Sequence, residues 1–315
     1  MMDITALGEV LIDLTQTGVN EQGVRQYAAN PGGAPANVAV AAARLGAKSS
    51  FIGCVGKDSF GAGLRDTLRE NGVETSQMQE ADDVLTTMAV VSVTADGERS
   101  FSFYRNPGAD LMLDSRKIVA GALQETKILH FGSVSLTADP SRTSTLEAVR
   151  KAKENGVLIT YDPNFRPALW SDREDAIVQM RKPLPMVDII KISDEEMELM
   201  TDETTPEKAA EVLLGQGISL ALITLGADGV YYSNGKESGH IPGYKVQVAD
   251  TNGAGDTFFG AFLSRLVQRE GLLEGLKKEE LEQALRFANK AASLTTSRPG
   301  AIPAMPFAEE LKDFQ

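Results

Sequence analysis

From residue 120 onward, apolar runs and amphipathic stretches take turns along the chain. Residues 128–134, 157–161, 189–192 and 220–225 read as strands, each a short, largely apolar run. Residues 141–155, 194–200, 206–215, 257–269 and 278–296 read as helices. Strands separated by helices pair in parallel, with the helices carried over both faces of the sheet. The alternation therefore predicts an α/β chain with a mostly parallel central sheet. In such sheets ligands gather beyond the carboxyl ends of the strands. Asp162, Ser193, Gly226 and Asp250 each follow a predicted strand, the last of them 244–249, so one rim should collect them.

The first third behaves differently. Residues 4–14 are strand-like, 22–29 form a short extended candidate, and 86–94 and 99–105 alternate around Ala95-Asp96-Gly97-Glu98 as a hairpin. In the 99–105 strand, Phe101, Phe103 and Arg105 share one face. An isolated hairpin is marginal in water, so a small sheet from about 11–30 and 86–110 must cover something. The expectation is a β lid over the rim that also joins two copies into a homodimer; the alternative is a hairpin packed permanently on the core. With no internal repeat or linker in view, residues 1–315 read as a single domain.

Charge narrows the ligands. A net charge of −13 repels nucleic acid and anionic membrane, so a phosphate-bearing ligand must be held by local donors and a counter-cation. No apolar run approaches the ~20 residues of a membrane span, and no secretion signal opens the chain. Cys54 is the single cysteine and lies in an apolar run, which suits a packing role in a reducing compartment. His130 and His240 are too far apart in sequence to suggest a zinc site. A soluble cytoplasmic protein acting on small molecules is expected.

Asp250-Thr251-Asn252-Gly253-Ala254-Gly255-Asp256 runs from the 244–249 candidate into a helix. A small-residue turn at a helix start leaves backbone N–H groups unpaired, and the helix dipole adds positive charge there. Asp256 would repel an anion at that spot unless it takes a proton beside it. Anion cradle plus base is what phosphoryl transfer to a hydroxyl requires; the plainer reading is that Asp256 caps the helix. Asn30-Pro31-Gly32-Gly33-Ala34-Pro35-Ala36-Asn37 precedes a small-residue helix at 38–45, where Gly32 and Gly33 let backbone approach a ligand and Asn37 suits a sugar hydroxyl. Asp13, at a predicted strand end, can accept from two adjacent hydroxyls of a polyol. Ile223-Thr224-Leu225-Gly226-Ala227-Asp228-Gly229 is a strand entering a turn whose N–H groups can meet phosphates. It lacks the Lys-Ser/Thr of a P-loop, and no Gly-x-Gly-x-x-Gly opens the first βα unit.

Taken together, residues 32–46, 51–58 and 250–262 resemble the two signature motifs of the ribokinase-like (PfkB) carbohydrate kinase family, in the family's order and along essentially the whole chain. The resemblance implies a three-layer αβα domain with a β lid, and ATP-dependent phosphorylation of a sugar. It implies Asp256 as base and Gly253, Ala254 and Gly255 as the anion hole. Asp13, Gly32, Gly33 and Asn37 would hold the sugar; Ser193, Thr224, Gly226, Gly229 and Asn289 would line the nucleotide site. Mg²⁺ would be held through water by Glu196, where Ser193 replaces the asparagine of the family's Asn-x-x-Glu. Many members bind K⁺ beside the anion hole; Asp250, Asn252, Thr295, Arg298 and Gly300 match those places, with Asn252 for a frequent threonine and Ala304 for an occasional serine. Residues 103–110 and 162–170 look like fructokinases, although the second stretch is shared with 2-keto-3-deoxygluconate kinases, and Arg105 and Arg166 would contact either sugar. Trp170 reads as a packing residue. A non-catalytic sugar or nucleotide sensor on the same fold is the alternative of another class.

Overall fold

The computed structural model describes residues 1–93 and 99–313. In chain order the strands begin with β1 (Met2–Leu7), β2 (Leu11–Val19), β3 (Arg25–Gly32), β4 (Ser49–Gly56), β5 (Val73–Glu74), β6 (Met78–Ala81) and β7 (Met88–Val93). They continue with β8 (Arg99–Tyr104), β9 (Thr126–Gly132), β10 (Leu158–Asp162), β11 (Ile189–Ser193), β12 (Leu220–Thr224), β13 (Val230–Ser233) and β14 (Ser238–Ile241). The helices are α1 (Ala34–Arg44), α2 (Ser59–Glu70), α3 (Ser141–Glu154), α4 (Arg173–Arg181), α5 (Met197–Thr201), α6 (Pro206–Gly215), α7 (Ala254–Leu266), α8 (Lys278–Thr296) and α9 (Glu310–Asp313).

The larger sheet runs β14-β13-β12-β11-β10-β9-β1-β4-β5, with β6 also on β4. From β12 to β5 its pairs are parallel; β13 and β14 turn antiparallel at one edge. Central strands buried on both faces explain the near-continuous apolar runs at 128–131 and 189–192. One face packs against α3 to α6 through Phe131, Tyr161, Ile190, Ile192 and Ile223. The other packs against α1, α7 and α8 through Ile4, Ile128, Ile189 and Leu222. Phe258, Phe259, Phe262 and Leu263 of α7 are almost fully buried, each contributing about 1.5–3 kcal/mol by leaving water. Gly260 sets how closely α7 approaches α1: a Cβ there would come within 2.7 Å of both Ala41 Cβ and Val38 O.

The smaller sheet has the order β3-β2-β7-β8. Pairing Asp13 with Ala89, and Ala89 with Phe103, places these three in one row across it. The hairpin expectation is met by β7 and β8, which pair antiparallel; its turn, Ala95 to Glu98, lies outside the described residues. Together the two sheets form an α/β ribokinase-like fold with a four-stranded lid.

Several boundaries differ from expectation. The 4–14 strand divides at Gly8-Glu9-Val10, where Gly8 (φ 150) packs against Pro35 and the chain passes from one sheet to the other. Asp13 consequently lies inside β2 of the small sheet, not at a strand end. Helix α1 starts at Ala34, four residues before the expected 38, with Pro35 in a first turn that needs no donor there. Residues 244–249 are not a strand. Pro242 and Gly243 follow the end of β14, and the chain then lies along α8: Ala249 N–H and Asp250 N–H both donate to Thr296 O, at 2.8 and 3.2 Å.

Candidate functional site

Helix α7 opens at Gly253, whose φ of 73° is the left-handed conformation that favours glycine. No side chain caps the helix, and Ala254 N–H makes only a long bond to Thr251 O, 3.4 Å. The mouth therefore keeps its amide groups and dipole for another ligand. Asp256 lies in the first turn and is 7% exposed. Its carboxylate does not cap α7: Oδ2 accepts from Asn37 Nδ2 at 2.8 Å and Oδ1 from Asn164 Nδ2 at 3.3 Å. Burial raises its pKa above the ordinary aspartate value, against the pull of the Asn37 bond, Lys191 and Arg166.

One cleft joins this helix mouth to the small sheet; Asp13, Gly33, Asn37, Phe103, Arg166 and Asp256 are among its walls. Gly33 (φ 109) ends the approach to α1, and a Cβ on it would come within 2.5 Å of Glu9 O. At Gly32 a Cβ would overlap the Asp13 carboxylate, so the glycine makes room for that carboxylate. Burial pushes the Asp13 carboxyl up to about 6, with Arg166 opposing and Asp256 adding to the rise. Asn37 Oδ1 is buried without a partner. The cleft thus offers an unfilled acceptor and a carboxylate side by side, a set suited to hydroxyl groups.

The two arginines separate. Arg166 is exposed at the rim, where its charge lowers the pKa of both Asp13 and Asp256. Arg105 does not serve the cleft as expected. Its side chain is 5% exposed, and Nη2 meets Asp110 Oδ2 at 2.6 Å. Further bonds go from Nε to Asp110, from Nη1 to Thr137 Oγ1 and from Nη2 to Val134 O. A buried guanidinium matched to a buried carboxylate clamps the end of β8 to the large domain. Trp170 is a core residue at 8% exposure. Burial pushes the Cys54 thiol up to about 11, so it stays a thiol at neutral pH.

Ser193 and Thr224 are paired at the carboxyl ends of adjacent strands, and Gly226 opens the turn after β12. Gly229 (φ 99) closes that turn against residues 241–243. Asn289 binds the same segment, its Nδ2 donating to Ile241 O and Pro242 O at 3.1 Å each. Glu196 is 6% exposed; Oε1 accepts from Phe165 N–H and Oε2 from Ser193 N–H, at 2.7 and 2.8 Å. Asp250 accepts from Asn252 N–H and Gly300 N–H, 3.0 Å each, closing residues 250–252 onto 298–300. Thr295 Oγ1 donates to Thr257 Oγ1 between α8 and α7, and Arg298 pairs with Glu310. Among the described residues no three His, Cys, Asp or Glu groups converge as a metal-binding cluster, and no helix is long and apolar enough to cross a membrane.

Three groups escaped the sequence reading. Asn164 reaches Asp256 from a left-handed backbone (φ 47); a signal existed in its place directly after the Asp162 strand. Glu9 is 3% exposed in the cleft wall, with Oε1 on Ala34 N–H at 3.0 Å and Oε2 unpartnered; burial pushes its carboxyl up to about 7. Lys191 meets Asp162 at 2.9 Å under α7; a signal existed in its place between Ile190 and Ile192, inside an apolar run.

Residues 1–308 match the model of the pfkB family carbohydrate kinases. The chain is 41% identical over 306 residues to Fructokinase-1 of Oryza sativa subsp. japonica, covering 96% of this chain and 94% of that protein. The crystal structure of a Xylella fastidiosa fructokinase with bound ATP superposes with a TM-score of 0.92 at 34% identity, covering 99% and 97% of the two chains. A double mutant of the Vibrio cholerae O395 fructokinase, solved with fructose, ADP and potassium ion, gives 0.90 at 33% identity, covering 99% and 98%. With a family model spanning nearly its whole length, the chain belongs to the pfkB family of carbohydrate kinases.

Proposed function

We propose that this protein transfers the γ-phosphoryl group of ATP to the 6-hydroxyl of D-fructose. The observation that carries the reading is Asp256 itself: a buried carboxylate in the first turn of an uncapped helix, held by two side-chain amides, facing a cleft lined by Asp13, Asn37 and Arg166. Asp13 and the free Oδ1 of Asn37 bind sugar hydroxyls. Asn37 Nδ2 and Asn164 Nδ2 aim the Asp256 carboxylate, which takes the proton from the attacking hydroxyl. The amides at 253–255 and the α7 dipole receive the charge of the migrating phosphoryl group. Closure of the small sheet excludes water.

Ser193, Thr224, Gly226, Gly229 and Asn289 form the nucleotide side of this reading. Hard cations keep their waters and are held by few protein carboxylates, which fits Glu196 at the carboxyl end of β11. Mg²⁺ so held would neutralise phosphate charge. The 250–252 and 298–300 loops, closed by Asp250, fit a K⁺ site. A homodimer through the small sheet is supported by Val19, Tyr27 and Tyr104, exposed on its strands, and a cytoplasmic setting by the single buried thiol.

Fructose is favoured over an acid sugar by charge. The cleft walls carry Glu9, Asp13 and Asp256 against Arg166, while Arg105 is taken by Asp110. ADP release should be measured with fructose, 2-keto-3-deoxygluconate, ribose and adenosine in parallel. Fructose giving the highest kcat/KM is expected; preference for the acid sugar would overturn the substrate, and no turnover with any would favour a sensor.

A further inference from the structure

Lys191 is buried on β11 with 7% of its side chain exposed, and Asp162 on β10 with 2%. Nζ donates to Asp162 Oδ2 at 2.9 Å, while Asp162 Oδ1 has no partner. Gly255 forms the roof. Its φ lies outside the left-handed region, so the backbone does not ask for glycine. Space does: a Cβ there would come within 3.0 Å of Lys191 Nζ and 3.7 Å of Cε. A methyl group there would push the ammonium back by a few tenths of an ångström, so the glycine lets Nζ lie close against the first turn of α7.

For stability alone this is a poor arrangement. A helix N-terminus carries about half a positive charge, which opposes a cation beside it, and burying the pair costs hydration on both partners. Two neutral groups of similar volume commonly serve a fold as well or better. The cation makes sense when a further anion occupies the helix mouth.

We propose that Lys191, anchored by Asp162, is a positioning residue for the phosphoryl transfer, holding positive charge against the α7 mouth where the charge of the migrating group has to be carried. The inference rests on the reading of that mouth as the transfer site. Its charge is permanent at neutral pH: burial works against the ammonium, but Asp162, Glu196 and Asp256 together hold its pKa above the ordinary lysine value. Its field also reaches His130, where burial first and Lys191 second push the imidazole down to about 3. At Asp256 it works with Arg166 and the Asn37 bond to favour the carboxylate.

The double variant D162N/K191M removes both charges and leaves neither partner buried alone. Its Tm should equal or exceed that of the parent, while kcat falls about 10²-fold, the scale of losing one fixed electrostatic group at a transfer site. KM for fructose and ATP should stay within about threefold, because the effect belongs to the transition state. Lys191→Gln, which keeps a donor to Asp162 but no counter-charge, should lower kcat with KM unchanged in the same way, at a lower Tm. A folded variant of either kind with near-parental kcat overturns the assignment. So does a loss of Tm with kcat preserved, which marks a structural pair. Asp256→Asn, assayed beside them, separates the causes: if it stays active, the reading of the α7 mouth has failed. If it is inactive while the Lys191 variants turn over, only the role of Lys191 has failed.

Discussion

Asp256→Asn tests the central claim because activity and stability should move in opposite directions. The amide keeps the shape of the side chain but cannot accept a proton. Losing a general base lowers kcat by about 10²–10⁴-fold, or about 3–5 kcal/mol of barrier. In the fold, the amide oxygen still accepts from Asn37 Nδ2, the shorter of the two contacts at 2.8 Å. The amide nitrogen then faces Asn164 Nδ2 across 3.3 Å, two donors in opposition, forfeiting one hydrogen bond worth about 1 kcal/mol. Against that stands relief of a buried charge. Because the pKa of Asp256 is raised in the folded state, its contribution to stability is fully present below the unfolded aspartate pKa and lost as pH rises through the folded one. At neutral pH the native carboxylate is held at a cost that the amide does not bear. Coupled ADP-release assays and thermal melts at neutral pH should therefore show turnover nearly abolished and Tm unchanged or raised. A variant that melts much lower, or one that folds and keeps near-parental kcat, refutes the reasoning.

Asp13, pushed up to about 6, binds hydroxyls as a carboxylate, so kcat/KM for fructose should fall as pH drops through that region; Arg166→Met should move this limb to higher pH, since the guanidinium lowers the pKa of both Asp13 and Asp256. A limb that stays in place, read from pH profiles of the two proteins, would contradict this electrostatic picture. Gly32→Ala drives a methyl group into the Asp13 carboxylate and should raise KM for fructose about tenfold or more, within the range expected for ångström-scale misplacement of a site group; an unchanged KM in steady-state kinetics would remove Asp13 from the sugar. Arg105→Met leaves the buried Asp110 without a counter-charge, with the Thr87 hydroxyl as a remaining donor, costing about 3–5 kcal/mol in chemical denaturation. Its KM for fructose, measured below its melting range, should barely change; a large rise would return Arg105 to the substrate.

Much of the fold was legible because it depends on short-range pattern. Helices α6 and α8 begin and end at the expected residues, and β9 to β12 lie within a residue or two of the apolar runs. Residues 244–249 misled because alternation describes an extended chain without naming its partner. Here the partner is the end of α8, and Pro242 and Gly243 follow directly on the last sheet residue, Ile241. Asp13 misled in a related way. Three residues, Gly8 to Val10, carry the chain from one sheet to another, and no periodicity marks a change of sheet.

The candidate site was legible where backbone chemistry creates it and obscure where packing does. A glycine turn entering a helix announces an anion site from local sequence, which is why 250–256 stood out. A buried charge announces nothing, since lysine, arginine and glutamate are ordinary surface residues until the fold encloses them. Arg105 shows the error this produces: it looked available for substrate, yet Asp110, five positions on, takes its guanidinium once both are enclosed. Lys191 shows the converse: only its place between Ile190 and Ile192 hinted that a charged residue is enclosed at the centre. The glycines link the two cases. Gly32 makes room for the Asp13 carboxylate, Gly255 for the Lys191 ammonium and Gly260 for α1, which brings Asn37 to Asp256. At these three positions a glycine with ordinary φ leaves the space that another residue's functional atom, or another helix, occupies. A sequence alone shows the glycine but not its neighbour.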